Sequence, residues 1–89
     1  MNKGIEIQTV DMEEEVQQET IKLIKATFEQ YSREDQIANE IKKQMDKQFG
    51  QSWNVVVGKN FGSNIVTQTK SYLFASLFKD EISCLVWRS

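Results

Sequence analysis

Residues 49–70, FGQSWNVVVGKNFGSNIVTQTK, decide how this chain folds. Two short strand-like runs, Trp53–Val57 and Phe61–Val66, are separated by a turn at Gly58-Lys59-Asn60. In the first run, large apolar residues alternate with Asn54 and Val56, a pattern typical of a sheet with one well-buried face.

The second run, Phe61–Val66, begins with the residues FGSN, which are too small and polar for a good central strand. Such a strand gains more by pairing its backbone with another chain than by burying side chains. The stretch therefore predicts a protein that acts through the edge of a β-sheet.

The size and charge of the chain exclude several classes of protein. Its 89 residues predict a single domain over residues 1–89 with a small core. Its 11 basic and 13 acidic residues give a net charge of −2, so we expect no nucleic-acid partner. No apolar run approaches the roughly 20 residues that span a bilayer, and no secretory segment opens the chain, so we expect no membrane partner.

The sequence contains no histidine and one cysteine, Cys84. The commonest general base and metal ligand is therefore missing, and we expect no catalysis, no cofactor and no metal site. A single cysteine excludes an intrachain disulfide and is typical of a reducing compartment. Glu34 and Asp35 are better explained as the exposed start of a helix than as a catalytic carboxylate pair.

Apolar residues at helical spacing predict two helices. The first runs from about residue 12 to 30, with Asp11 and Glu14 resembling a capping box. The second follows Ser32 as N-cap, with Asp35 three residues on, and ends at Gly50. Its apolar positions advance in steps of four residues: Ile37, Ile41, Met45 and Phe49.

Alternating residues then predict strands at Ser71–Phe78 and Ile82–Trp87. Ile5-Glu6-Ile7 is a weaker candidate for an edge strand. Two helices followed by four strands indicate an α+β domain, with two helices packed on an antiparallel β-sheet.

Several motifs together resemble the dynein light chain type 1 family over nearly the whole chain. The family pattern is an I-K-K-x-x-D-K run, a W-x-x-x-V-G-x-N-F-G-S block and a T-K pair. The matching residues are Ile41, Lys42, Lys43, Asp46, Lys47, Trp53, Val57, Gly58, Asn60, Phe61, Gly62, Ser63, Thr69 and Lys70.

This resemblance implies a non-catalytic, strand-swapped dimer formed with itself or with a homologous light chain. Each subunit would lend Asn60–Val66 to its partner's sheet and bind an extended segment of a third chain as one further strand. The implied partner is a dynein intermediate chain or another disordered segment. The implied location is the cytoplasm and cytoskeleton, with the cilium or axoneme preferred.

The resemblance also assigns roles to particular residues. Those of the partner-peptide groove are Asn60, Phe61, Gly62, Ser63, Asn64, Ile65, Val66, Thr67, Asp35, Tyr72 and Phe74. The dimer interface would contain Lys42, Lys43, Trp53, Asn54, Val55 and Val57. Simpler interpretations remain: Gly62 as an ordinary bulge glycine, Tyr72 and Phe74 as core, and the two lysines as a solvated helix face.

Several positions depart from the family pattern, among them Asn64, Ser76 and Thr67 near the groove and a longer last hairpin, and two departures change charge or titration. Asn54 stands where the family usually has a histidine at the dimer boundary, so we expect no acid-triggered dissociation. Asp35 stands where a lysine usually reaches over the groove, which reverses the charge there. We therefore expect weak binding to generic K-x-T-Q-T peptides and tighter binding to one dedicated partner.

The leading functional hypothesis is a dimeric light chain that holds two dynein intermediate chains side by side, with ciliary outer-arm dynein as the preferred setting. The alternative is a dynein-independent adaptor or inhibitor that dimerises another disordered protein. The identity of the partner separates these two hypotheses.

Overall fold

The computed structural model describes residues 4–50, 52–59, 71–77 and 81–88. The predicted α+β architecture is confirmed, with two helices packed against one antiparallel sheet. The elements in chain order are β1 (Ile5–Asp11), α1 (Glu14–Gln30), α2 (Glu34–Phe49), β2 (Trp53–Lys59), β3 (Tyr72–Leu77) and β4 (Ile82–Arg88).

The described strands form a four-stranded sheet in the order β1-β3-β4-β2, with every neighbouring pair antiparallel. The predicted order of two helices followed by four strands was incomplete, because the weak candidate Ile5-Glu6-Ile7 lies in a full strand that precedes both helices. The predicted strand at Phe61–Val66 lies outside the described residues.

Both helices cover the same face of the sheet, and the core lies between them and that face. The four-residue steps in α2 bury Ile37, Ile41 and Met45, while Phe49 is partly buried. The alternation predicted for β3 is also confirmed, since Leu73, Ala75 and Leu77 all face this core. The core cluster comprises Ile24, Phe28, Ile37, Ile41, Met45, Trp53, Leu73, Ala75, Leu77, Cys84 and Val86.

Two threonines of α1 are buried in positions that apolar periodicity does not mark. Thr20 donates a hydrogen bond of 2.7 Å to the carbonyl of Val16, and Thr27 donates one of 2.7 Å to the carbonyl of Leu23. A buried hydroxyl without a partner would destabilise the fold, and these bonds within the helix remove that penalty.

The helix starts differ from the predicted caps. Asp11 is the last residue of β1, and α1 has Glu13 as its N-cap without a side-chain capping bond. The N-cap of α2 is Arg33 rather than Ser32, again without a side-chain cap. Acidic residues in both first turns, among them Glu14 and Glu34, interact favourably with the helix dipoles instead.

The junction between α2 and β2 depends on the Asp46 carboxylate. Gly50 ends α2 with a φ of 82°, a conformation that glycine adopts without strain. Oδ1 of Asp46 accepts a 2.8 Å hydrogen bond from the backbone N–H of Trp53, the first residue of β2. Oδ2 accepts a 2.7 Å bond from Nζ of Lys42, one turn earlier in α2. One carboxylate thus joins the helix to the strand.

The Asp46 side chain also has a lowered pKa. The hydrogen bond from Lys42 is the main cause, and the bond from the Trp53 amide adds to it. Both bonds favour the charged carboxylate over the neutral acid.

We predict that replacing Asp46 destabilises the chain in a graded way. Asp46→Asn keeps an oxygen that can accept the Trp53 N–H but loses the charge that pairs with Lys42. Asp46→Ala loses both contacts and leaves the strand's first amide without its acceptor. Urea unfolding followed by circular dichroism should therefore rank the midpoints as wild type, then D46N, then D46A. The exposed Asp35→Asn is the matched control, and equal midpoints for all four chains would contradict the prediction.

The same carboxylate predicts a pH dependence of stability. Its folded-state pKa lies below the ordinary 3.8. Its contribution is therefore complete above the unfolded-state pKa and is lost as the pH falls through the folded-state value. The difference in unfolding free energy between wild type and D46N should shrink between about pH 5 and about pH 2. A difference that stays constant over this range would show that the Asp46 charge does not stabilise the fold.

Candidate functional site

The two edges of the described sheet are built differently. β1 contains a bulge between Ile7 and Thr9, which interrupts its pairing with β3. Gln8, at the bulge, donates a 2.8 Å hydrogen bond from Nε2 to Oγ of Ser76 on β3. Bulges and charged side chains such as Glu6 are features that discourage pairing with further strands. β1 is therefore a protected edge.

β2, by contrast, is a regular strand of seven residues. Its register with β4 is unbroken, from Trp53 opposite Arg88 to Lys59 opposite Ile82. Within the part of the chain that the structure describes, β2 pairs with β4 alone, so its other side is an edge. An unbroken edge without proline can pair with an added strand along its whole length.

A recess of about 420 Å³ lies beside β2, between that strand and α2. One stripe of α2 supplies most of its wall, because positions three or four residues apart share a helix face. The lining residues are Asp35, Gln36, Ala38, Asn39, Lys42 and Val55. The recess thus combines a small apolar surface with two amides and two opposite charges.

The two charged groups of the recess are each held by a neighbour. Asp35 accepts two hydrogen bonds from the Arg33 guanidinium, of 3.1 and 2.8 Å, on an open surface where the two side chains are 66% and 69% exposed. Lys42 donates to Asp46, which is itself held by the start of β2. Lys42 is therefore positioned by the fold, whereas Asp35 is paired only on the surface.

The sheet face opposite the helices carries a second group of side chains. Tyr72 and Phe74 are half-buried there, and Leu85 is buried between them and β2. Val56 of β2 lies in the same row and is 41% exposed, unusually open for a large apolar residue. β2 is thus accessible both at its edge and on this face.

The structure brings some of the predicted site residues together and separates others. Asp35, Lys42 and Val55 line the recess, and Lys43 is exposed on the helix outside it. Tyr72 and Phe74 lie on β3, separated from β2 by β4, and do not line this recess. The predicted groove residues Asn60, Phe61, Gly62, Ser63, Asn64, Ile65, Val66 and Thr67 lie outside the described residues.

Of the residues predicted for the dimer interface, four lie on β2. The side chains of Trp53, Val55 and Val57 face the helix-covered core, while Asn54 lies on the opposite face and pairs in register with Trp87. The indole of Trp53 packs edge-on against Phe49 and beneath the Arg88 guanidinium. The Trp53 indole nitrogen is buried and has no acceptor among the described residues.

Three residues of the recess were not predicted from the sequence: Gln36, Ala38 and Asn39. The sequence indicated them only through their position on α2 between Asp35 and Lys42, which had been predicted as groove and dimer-interface residues. Polar residues on a helix surface usually indicate only a solvated face, so spacing alone did not distinguish them.

The described residues offer no arrangement suited to catalysis. Burial raises the pKa of the Cys84 thiol to about 12, so this group stays protonated and unreactive. Among the described residues, no group of acidic, cysteine or histidine side chains is arranged to hold a metal ion. Neither described helix is long and apolar enough to cross a membrane. The open β2 edge and its recess are features of a binding surface.

Solved structures with this fold include two domains from larger proteins. The dynein light chain-like domain of the Fasciola hepatica calcium-binding protein FhCaBP2 matches with a TM-score of 0.75 and 22% identity, covering 99% of this chain and 93% of that one. The corresponding domain of CsTAL3 matches with a TM-score of 0.73 and 22% identity, covering 96% and 92%. At 22% sequence identity, this similarity shows a shared fold and nothing further.

The sequence comparisons concern the family itself. A cytoplasmic dynein light chain of Emericella nidulans is 39% identical over 69 residues, which cover 78% of this chain and 73% of that protein. The family model for dynein light chain type 1 matches residues 4–89. This chain therefore belongs to the dynein light chain type 1 family, a non-catalytic family of structural and adaptor proteins.

Proposed function

We propose that this protein is a dimeric light chain that holds two dynein intermediate chains, or similar disordered segments, side by side. The observation that carries the proposal is the regular β2 edge beside a partly polar recess. Family membership supports it, since light chains of this type generally dimerise and bind dynein chains.

Strand addition suits such an edge on physical grounds. The backbone of an added segment supplies hydrogen bonds whatever its sequence, and its alternate side chains reach the walls of the groove and provide specificity. The asymmetry between the bulged β1 and the regular β2 supports addition at one edge only. A strand lent by a second subunit, predicted to be Asn60–Val66, would extend the sheet from β2 and form the dimer. The partner segment would then add to the outer edge of that lent strand.

Dimerisation would also strengthen the binding of partner chains. Two grooves in one dimer raise the effective concentration of the second segment once the first is bound, so weak single-groove contacts add up to firm binding. The homologous protein named as cytoplasmic dynein light chain supports a cytoplasmic and cytoskeletal setting. We further propose ciliary outer-arm dynein as the particular complex, because Asp35 and Asn54 depart from the usual family pattern.

We expect a charge placed in the path of the added strand to abolish partner capture. Val55 lines the recess from β2 and belongs to the predicted dimer interface, so Val55→Lys would set an ammonium group beside the lent strand and prevent the dimer and its groove from forming. Tagged full-length protein should recover dynein intermediate chains from an extract of ciliated cells, and the V55K variant should recover at least about tenfold less.

Thr9→Lys is the matched control, because it places the same charge on the bulged edge strand β1. Circular dichroism of both variants separates loss of binding from loss of folding. Equal recovery by V55K and wild type would contradict strand addition at β2. Recovery of another disordered protein without intermediate chains would favour the dynein-independent adaptor.

We also expect self-association to be insensitive to mild acid. The chain has no histidine, and Asn54 occupies the position at the predicted dimer interface where the family usually has a histidine. Sedimentation at about pH 7.5 and at about pH 5 should therefore give the same dimer dissociation constant. Asn54→His is the informative comparison, since it should make the dimer weaken at the lower pH. Dissociation of the wild-type dimer across this range would contradict the prediction.

A further inference from the structure

The connection between the two helices presents an exposed serine, Ser32. Tyr31 before it has φ −119° and ψ 153°, and Arg33 after it has φ −93° and ψ 135°, so the backbone on both sides is extended. Ser32 itself is exposed, and within the described ranges its hydroxyl has no hydrogen-bond partner. A free hydroxyl on an extended surface segment is accessible to an enzyme that modifies side chains.

The residues that follow this serine are acidic. Glu34 and Asp35 stand two and three positions after Ser32, and both are exposed. Of all the serines and threonines in the sequence, Ser32 alone has an acidic residue three positions on. Several of the others are buried, namely Thr20, Thr27, Ser76 and Ser83. Charge and accessibility therefore distinguish one hydroxyl in this chain.

The first turn of α2 holds the acidic pair only loosely. Its N-cap, Arg33, provides no side-chain capping bond, and the first N–H groups of any α-helix lack partners within the helix. The bond that closes this turn joins the N–H of Ile37 to the carbonyl of Arg33 at 3.0 Å. Helix ends of this kind open locally while the rest of the domain stays folded. Residues 32–35 can therefore extend into the cleft of an enzyme without disrupting the core.

We propose that Ser32 is a phosphorylation site for a serine kinase that selects acidic residues after its target. Basic groups of such a kinase would complement Glu34 and Asp35, and kinases choose substrates by charge patterns of this kind. In the transfer, Oγ of Ser32 bonds to the γ-phosphorus of ATP as the bond to the bridging oxygen of ADP breaks, and the hydroxyl proton passes to the kinase's catalytic aspartate. This inference does not depend on the proposed function, because it requires neither a dimer nor a bound partner segment.

Arg33 is placed to hold the phosphate once it has formed. Its guanidinium bonds to Asp35 at 3.1 and 2.8 Å, and both side chains are largely exposed, so this pair is weak and easily exchanged. A phosphate on the adjacent Ser32 carries a charge of about −2 and three acceptor oxygens, and therefore competes effectively with a single carboxylate. Phosphorylation would thus transfer Arg33 to the phosphate and leave Asp35, a residue of the recess, without this cation.

Incubation of the purified full-length protein with casein kinase II, an acid-directed serine kinase, and ATP tests the proposal. Mass spectrometry of proteolytic fragments should place the phosphate on Ser32. Asp35→Asn should lower the initial rate at least about tenfold, since it removes the charge three positions after the serine. Glu29→Gln removes an exposed charge three positions before the serine and should leave the rate unchanged. Circular dichroism checks that both variants fold.

An unmodified Ser32, or equal rates for D35N and wild type, would overturn the proposal. The destabilised variant D46A separates local opening from global unfolding. Because Ser32 is exposed in the folded chain, D46A and wild type should be phosphorylated at the same rate. A rate that rises as the fold is destabilised would show that the kinase reaches the serine only in the unfolded chain, which would also overturn the proposal.

The contact with Arg33 is tested on the phosphorylated protein by phosphorus NMR across a range of pH. An adjacent guanidinium favours the doubly charged phosphate, so the pKa of phosphoserine 32 should lie lower in wild type than in Arg33→Gln. Lys25→Gln removes an exposed cation from α1 and should leave that pKa unchanged. Equal values in wild type and R33Q would overturn the role of Arg33.

Discussion

The contact between the Asp46 carboxylate and the first amide of β2 links the helix layer to the regular edge strand of the sheet. Its two oxygens have different partners, the Trp53 backbone on one side and the Lys42 side chain on the other. The position of β2 beneath α2 and the position of a charged group in the recess are consequently set by one side chain. A polar residue on a helix surface thus positions both the edge strand and a residue of the recess without lining the recess itself.

The sheet exposes its backbone selectively. A bulge and a side-chain hydrogen bond from Gln8 protect β1, while β2 keeps a regular register over all seven residues. A small sheet with two open edges would pair indiscriminately with other chains. Because β1 is protected, a further strand can add to this sheet only at β2. The recess on α2 lies beside that edge, so backbone groups for pairing and side chains for selective contacts stand on adjacent elements.

Much of this fold was predictable because burial leaves a periodic pattern. The four-residue steps of α2 correctly predicted the apolar stripe that contains Ile41, and the alternation of β3 correctly predicted two distinct faces, one of which carries the buried Ala75. The full extent of β1 was not predictable, because the bulge near Gln8 interrupts its two-residue period. Buried Thr20 was also missed, since its hydroxyl is satisfied by a bond within the helix that no pattern reveals. The recess depends on how far α2 stands from β2, a distance that sequence spacing does not encode.

Because Lys42 both lines the recess and bonds to the Asp46 carboxylate that holds β2, the proposed binding at this edge would be coupled to the stability of the fold. Lys42 bonds to Asp46, and Asp46 bonds to the start of β2, so a ligand that orients Lys42 acts on the helix–strand junction. A segment that binds only the folded chain stabilises it by mass action, in proportion to the logarithm of its concentration over its dissociation constant. In a domain of 89 residues, whose own core is small, that increment is a substantial part of the total. In the proposed function, assembly with a partner therefore contributes to the stability of the light chain as well.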